Sequence, residues 1–136
     1  MRLTDRQQSL LDEVIHLEDP QERLALVVDR AQRSPFPPSE RTPRNRVPGC
    51  ASNVWLIGEL RDGRCYFRSD ADSPVVRGLV RLLTDFFSGH TPREIVDSEA
   101  DPVEALDLER TLSSTRRHRI ASVQAAIRDF AKTSQP

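Results

Sequence analysis

"NVWLIGELRDGRCYFRS", residues 53–69, is the stretch that decides the fold. Two runs of high strand propensity are separated by Asp62-Gly63, a pair that favours the type I′ turn of a two-residue hairpin. The sequence therefore predicts a β-hairpin in which Cys65 lies opposite Leu60. Residues 45–48 are expected to add a short third strand ahead of it.

Helical patterns flank this hairpin on both sides. Thr4 is expected to cap the first helix, Pro20 to start the second, and Ser73-Pro74 to open the long helix that follows the hairpin. The predicted helical segments are residues 4–17, 20–33, 73–89, 91–98, 101–108 and 114–132. The order αα-βββ-αααα predicts an α+β fold of two layers, with a small antiparallel three-stranded sheet packed against helices.

The length of 136 residues fits one domain with its own core. Four prolines fall between Pro35 and Pro43, which predicts a loop rather than a helix or strand. We expect a single domain, 1–136, with these parts: N-terminal helices over 1–34, a proline-rich loop over 35–49 leading to Cys50, the hairpin over 52–70 and C-terminal helices over 73–132.

The formal charge of -1 argues against a protein that binds nucleic acid or an anionic membrane. The first residues lack the apolar core of a signal peptide, and no stretch reaches the roughly 20 apolar residues of a membrane span. We therefore expect a cytoplasmic protein, in which Cys50 and Cys65 are both reduced.

The two cysteines have different settings. Cys65 is expected inside a strand as a small packed residue, whereas Cys50 follows Pro48-Gly49 on a bend, where a thiolate is accessible to a second protein. In the predicted register, Cys65 lies opposite a residue ten positions beyond Cys50, roughly 30 Å away along an extended strand, so a disulfide within the chain is excluded.

Other reactive groups lack a pattern. The three histidines lie in separate predicted helices or caps without metal-ligand spacing, and we expect solvated or capping roles for them; they are His16, His90 and His118. The motifs of nucleotide-binding proteins, zinc proteases and serine hydrolases are absent from the sequence. The sequence therefore predicts no cofactor and no metal, and a thiol remains as the candidate reagent.

The segment around Cys50 resembles the SufE family of sulfur-acceptor proteins. The family pattern V-x-G-C-x-S-x-V-W stands here as "VPGCASNVW" at 47–55, followed at matching spacing by "DADSPVVRGL" at 70–79 and "SGHTPREIV" at 88–96. The last helix, with "LSSTRRHRIASVQAAI" at 112–127, is similar to the family's L-S-x-S-R-x-N-G-L segment. Three departures stand out: Ala51 replaces the usual Gln, Pro74 follows the acidic turn, and His118-Arg119 replaces Asn-Gly.

The resemblance implies a sulfur carrier. Cys50 would take persulfide sulfur from a PLP-dependent cysteine desulfurase of the SufS or CsdA type, stimulate that enzyme, and pass the sulfur to a SufBCD-type scaffold for iron–sulfur cluster assembly. The resemblance also implies that Gly49, Asp72 and Arg116 contact the partner; a helix-capping Asp72 and a solvated Arg116 are the alternative. We expect a monomer or a weak homodimer.

Alternative interpretations exist for the residues that would line a persulfide pocket and for the activity. Trp55, Leu56 and Leu79 are candidate walls of an apolar pocket that would shield a persulfide, or simply core residues. Whether the chain counts as an enzyme, a sulfurtransferase partner of the desulfurase, is open at this point. The alternatives are an IscU-like metal or iron–sulfur scaffold, which would need several cysteine ligands, and a non-catalytic adaptor domain.

Overall fold

The computed structural model describes residues 2–33, 36–49 and 53–135. Six α-helices and two strands follow one another in the order αα-ββ-αααα. Their bounds are α1 Leu3–Val14, α2 Pro20–Ala31, β1 Val54–Arg61, β2 Arg64–Ala71, α3 Pro74–Phe87, α4 Pro92–Asp97, α5 Pro102–Ala105 and α6 Ser114–Thr133. The α+β class and the helical order are confirmed.

The hairpin forms in the predicted register. Asp62 and Gly63 have φ angles of 51° and 76°, as a type I′ turn requires, and Leu60 pairs with Cys65. The positive φ angles match the right-handed twist of the two strands, which is why this dipeptide fixes the register.

The prediction of a third strand at residues 45–48 is wrong. Within the described residues the sheet has two strands, and the segment before Cys50 contributes only a single bridge between Arg46 and Trp55. The Val47 N–H donates to the carbonyl of Val54 at 2.8 Å, but Pro48 follows directly and has no N–H to continue a ladder. The proline-rich segment otherwise forms two short 3₁₀ turns, Pro38–Glu40 and Pro43–Asn45.

The core lies between the sheet and the helices. On β2, which packs against α3, the alternate side chains of Cys65, Phe67, Ser69 and Ala71 are buried, and Asp70 at the end of the strand is buried as well. The long helix α6 packs against α3 and α4, and it also touches β1, where Phe130 lies over Gly58. A methyl group on Gly58 would lie 2.7 Å from Cδ2 of Phe130, so only glycine permits this close approach.

Arginine side chains donate hydrogen bonds to the carbonyls at two helix ends. The guanidinium of Arg6 donates to the carbonyls of Phe86 and Ser88 at 2.9 Å and 2.8 Å, and so completes hydrogen bonds that the end of α3 cannot make internally. The guanidinium of Arg128 likewise donates to the carbonyls of Ile95 and Ser98, which joins α6 to the end of α4.

Two helix details differ from prediction. Helix α1 begins at Leu3 with Arg2 as its N-cap, not Thr4, because the Asp5 carboxylate accepts a hydrogen bond from the Arg2 N–H and closes the first turn earlier. Pro20 and Pro74 do occupy first helical positions, as predicted. In the part of the chain that is described, no helix combines the length and apolar character needed to cross a membrane.

Candidate functional site

The predicted nucleophile, Cys50, lies outside the described residues, as do Ala51 and Ser52. The residues on either side of this gap are described. Gly49 has a φ of 81°, a left-handed conformation that side-chain-bearing residues disfavour. A Cβ placed on Gly49 would lie 3.9 Å from Oγ of Ser122, so the chain enters the cysteine segment beside α6.

On the other side of the gap, Asn53 is tied to Asp72. The amide Nδ2 of Asn53 donates to Oδ2 of Asp72 at 2.8 Å, and the Asp72 N–H donates to the Asn53 carbonyl at 3.2 Å. Asp72 is exposed, and the N-cap of α3 is Ser73. The structure therefore places Asp72 against Asn53, at the exit from the cysteine segment, and the capping alternative does not apply to it.

Arg116 is on the first turn of α6 and is half-buried. Its N–H donates to Oγ of Ser113, the helix N-cap. It precedes Ser122 by six residues, which is about 9 Å along a helix axis. Among the described residues its guanidinium has no hydrogen-bond partner, and no hydrogen bond joins it to Asp72.

The change from Asn-Gly to His118-Arg119 falls on this same helix. His118 is exposed and accepts a hydrogen bond from the Ser122 hydroxyl through its carbonyl at 3.0 Å. Arg119 is half-buried, and its Nε is sealed from water without an acceptor among the described residues. A cation therefore stands on the helix that borders Gly49, where the family pattern has glycine.

Cys65 has the opposite environment to a reactive thiol. Its exposed fraction is 0%, and burial raises the pKa of its thiol, which disfavours the nucleophilic thiolate. Its backbone exchanges two hydrogen bonds with the segment after α3: the Cys65 N–H donates to the His90 carbonyl, and the Gly89 N–H donates to the Cys65 carbonyl, each at 2.8 Å. Cys65 is therefore a core residue, as predicted.

His90 differs from prediction. It is 2% exposed rather than solvated, because its backbone pairs with the outer edge of β2 at Cys65 and so draws the side chain inward. His118 is exposed, as expected.

Among the candidate pocket walls, Leu79 is completely buried in the core, and Leu56 is half-buried against it. Trp55 is 8% exposed, and the guanidinium of Arg41 lies 5.6 Å from its ring centroid, within reach of a cation–π interaction. The core alternative therefore describes Leu79, while Trp55 lies at the end of the hairpin next to the cysteine segment.

A charged cluster at this end of the hairpin was missed by sequence reasoning. Asp70, opposite Trp55 in the register, is fully buried and accepts hydrogen bonds from three arginines. Nε of Arg41 donates to Oδ2 at 2.8 Å, Nε of Arg77 donates to Oδ1 at 2.9 Å, and Nη2 of Arg81 donates to Oδ1 at 3.2 Å. The available signal was a pair of arginines four residues apart, Arg77 and Arg81, on the apolar first three turns of α3.

Within the described part of the chain, three carboxylates come together near α5. Oxygens of Asp101, Glu104 and Glu109 lie within 4.8 Å of one another, as metal ligands would. However, Oδ1 of Asp101 caps α5 by accepting from the N–H groups of Val103 and Glu104, both at 3.1 Å. This cluster is accounted for by helix capping.

Comparison with known proteins identifies the family. Residues 8–131 match the SufE family, described as the Fe-S metabolism associated domain. A SufE-like protein of Rhizobium etli is 33% identical over 129 residues, which cover 90% of this chain and 87% of that one. A second SufE-like protein, from Rhizobium meliloti, is 32% identical over 133 residues, covering 93% and 95% of the two chains.

Two further similarities extend the comparison. The chloroplastic quinolinate synthase of Arabidopsis thaliana contains a segment 32% identical to 89% of this chain, which corresponds to 18% of that larger protein. A solution structure of a hypothetical protein from Thermus thermophilus has a TM-score of 0.75 with 15% identity and covers 95% of each chain, which shows a shared fold. Because the family match spans nearly all of the sequence and includes the segment around Cys50, the chain belongs to the SufE family.

Proposed function

We propose that this protein is a sulfur acceptor and carrier that takes persulfide sulfur from a cysteine desulfurase onto Cys50. The proposal rests on membership of a family associated with iron–sulfur metabolism. It is supported by the burial of Cys65, which leaves Cys50 as the candidate thiol in a sequence of two cysteines.

The proposed transfer is a thiol–disulfide type of exchange. The Cys50 thiolate attacks the terminal sulfur of the desulfurase persulfide, the sulfur–sulfur bond of that persulfide breaks, and the desulfurase cysteine leaves as a thiolate. Cys50 then carries the added sulfur with its proton as Cys-S-SH. Relieving the desulfurase of its persulfide frees it for another turnover, which is how the acceptor would stimulate it.

A second step delivers the sulfur. We propose a SufBCD-type scaffold as the recipient, so that the sulfur enters iron–sulfur cluster assembly. A thiol-based carrier needs a reducing compartment, and we propose the cytoplasm. The PLP in this scheme belongs to the desulfurase partner. An IscU-like metal scaffold is less well supported, because Cys65 is sealed in the core and unable to serve as a second surface ligand.

The proposed partner contacts are Gly49, Asp72 and Arg116. The contact proposed for Asp72 is supported by its exposure and by its hydrogen bond to Asn53, which follows Cys50 by three residues in the sequence. Replacing Asp72 or Arg116 with Ala should raise the concentration needed for half-maximal stimulation of the desulfurase. The matched controls are Asp97→Ala, exposed on α4, and Arg117→Ala, the exposed neighbour of Arg116.

The decisive experiment is mass spectrometry after incubation with a SufS-type desulfurase and cysteine. The Cys50 peptide should gain about 32 Da, one sulfur atom as a persulfide. Cys50→Ser should abolish both the gain and the stimulation of turnover, whereas Cys65→Ser should retain them. An unmodified Cys50 peptide beside an active desulfurase, or full stimulation by Cys50→Ser, would refute the proposal.

A further inference from the structure

The three arginines around Asp70 carry more positive charge than the single carboxylate of Asp70 neutralises. Three guanidiniums converge on one carboxylate, and Arg81 also donates to the Ala31 carbonyl at the end of α2. The Asp70 carboxylate contributes one negative charge, and the helix end and the nearby Asp85 carboxylate act on Arg81, so the surplus positive charge lies on Arg41 and Arg77. The surplus is local, because the whole chain has a formal charge of -1.

Some donors of this cluster remain available. Arg77 uses Nε for Asp70 and for the Ala71 carbonyl, and Arg41 uses Nε and Nη2 for Asp70. Within the described ranges, both terminal nitrogens of Arg77 and Nη1 of Arg41 have no acceptor. The side chains of Arg41 and Arg77 are 38% and 25% exposed, so these N–H groups are reachable from solvent.

The available donors line an open, polar pocket. Its volume is about 330 Å³, and its walls are Gln32, Phe36, Arg41, Arg77 and Arg81. Two nearby acidic side chains have other partners, since Asp29 pairs with Arg33 and Glu40 pairs with Arg68. Asp85 interacts electrostatically with Arg81 but does not line the pocket. Asp70 already fixes the guanidinium groups of Arg41 and Arg77, so a ligand would not have to order them on binding.

We propose that this pocket binds an oxyanion, a phosphate or a carboxylate group, held by the terminal N–H groups of Arg77 and Nη1 of Arg41. Planar guanidinium forks match the oxygens of both groups, and charge assistance strengthens such hydrogen bonds. The lining residues of this pocket are distinct from Cys50, the residue proposed to carry sulfur. Because the Arg41 guanidinium also lies over the ring of Trp55, an occupied pocket is coupled to the end of the hairpin that follows the cysteine segment.

The protein contains its own reporter for this site. Trp55 is the one tryptophan of the sequence, and the Arg41 guanidinium lies over its ring. Titration with inorganic phosphate at constant ionic strength should change the Trp55 emission and saturate in the millimolar range. A parallel titration with acetate distinguishes the two sources of the oxyanion, since the tighter of the two ligands identifies the group preferred.

The sharpest variant leaves the Asp70 network intact. Gln32 is exposed at the end of α2, and Gln32→Glu would place a competing carboxylate at the pocket. We expect it to weaken phosphate binding about tenfold or more, the equivalent of one lost charge-assisted contact. Gln21→Glu, which adds the same charge at the other end of the same helix, should bind as the unmodified protein does.

Arg77→Gln should also weaken binding, with circular dichroism confirming that the variant folds. An emission change that is unsaturable and equal to that caused by chloride would overturn the proposal. Unchanged phosphate affinity in Gln32→Glu would overturn it as well. Neither result bears on sulfur transfer, which is measured separately at Cys50.

Discussion

Asp70 and Arg81 meet in the interior, where Nη2 of the arginine lies 3.2 Å from Oδ1 of a carboxylate with no exposed surface. The pair joins β2 to α3, and through the Ala31 carbonyl it also reaches α2. A buried carboxylate of this kind is tolerated because its charge is compensated by well-placed donors. Removing the charge therefore tests how much the cluster contributes to the fold.

We predict that Asp70→Asn destabilises the protein by about 3–5 kcal/mol, because it leaves partly buried guanidiniums without their counter-charge. Urea denaturation followed by circular dichroism measures the change. Asp29→Asn, which breaks the exposed pair with Arg33, should cost less than about 1 kcal/mol. Similar losses in the two variants would show that the Asp70 cluster does not hold the layers together.

Gly58→Ala should destabilise the protein by about 1–3 kcal/mol, because the new methyl group would overlap Phe130 and force α6 away from β1. The double variant Gly58→Ala/Phe130→Leu should recover part of this loss, since leucine is smaller and more adaptable. Thermal denaturation of the single and double variants measures the coupling. Strictly additive effects would mean that the two residues do not compete for the same space.

Gly49→Ala and Gly63→Ala form a matched pair. Both positions have positive φ, 81° and 76°, so each alanine should cost about 1–2 kcal/mol of unfolding free energy. Gly49 immediately precedes Cys50, whereas Gly63 is in the hairpin turn at the far end of β1. We expect only Gly49→Ala to slow the gain of sulfur on Cys50. Equal rates in the two variants would show that the backbone conformation of Gly49 does not affect sulfur transfer.

The ionisation of the Cys65 thiol should make the free energy of unfolding depend on pH in the alkaline range. Burial raises the pKa of this thiol in the folded protein, so the unfolded chain releases the proton at a lower pH. The free energy of unfolding should therefore fall as the pH rises above about 8.5, the ordinary thiol pKa. The free energy of unfolding of the Cys65→Ala variant should fall less steeply than that of the unmodified protein between pH 7.5 and pH 9.5, a range that brackets the ordinary thiol pKa of roughly 8.5.

The same burial predicts a difference in thiol reactivity. In the native protein at neutral pH, iodoacetamide should alkylate Cys50 and leave Cys65 unmodified, as peptide mass mapping would reveal. Alkylation of Cys65 should require unfolding. Rapid labelling of Cys65 in the native state would contradict the sealed core position.

Local chemistry determined much of the architecture. Asp62-Gly63 alone fixed the turn type and hence the pairing of Leu60 with Cys65, because few dipeptides adopt two consecutive positive φ angles. Pro20 and Pro74 marked helix starts for a similarly local reason, the fixed φ and missing N–H of proline. The segment around Cys50 was sufficient to indicate the family, which the comparisons confirmed.

Long-range contacts decided the rest. The third strand stops at one bridge because Pro48 ends the ladder, and His90 is buried because its backbone pairs with Cys65, 25 residues earlier. Arg41 reaches Asp70 across 29 residues, a pairing that no local pattern encodes. Sequence by itself determined the turns, the helices and the candidate thiol, since these depend on neighbouring residues. Only the tertiary structure decided which charges share the interior, because burial brings together groups that are far apart in the chain.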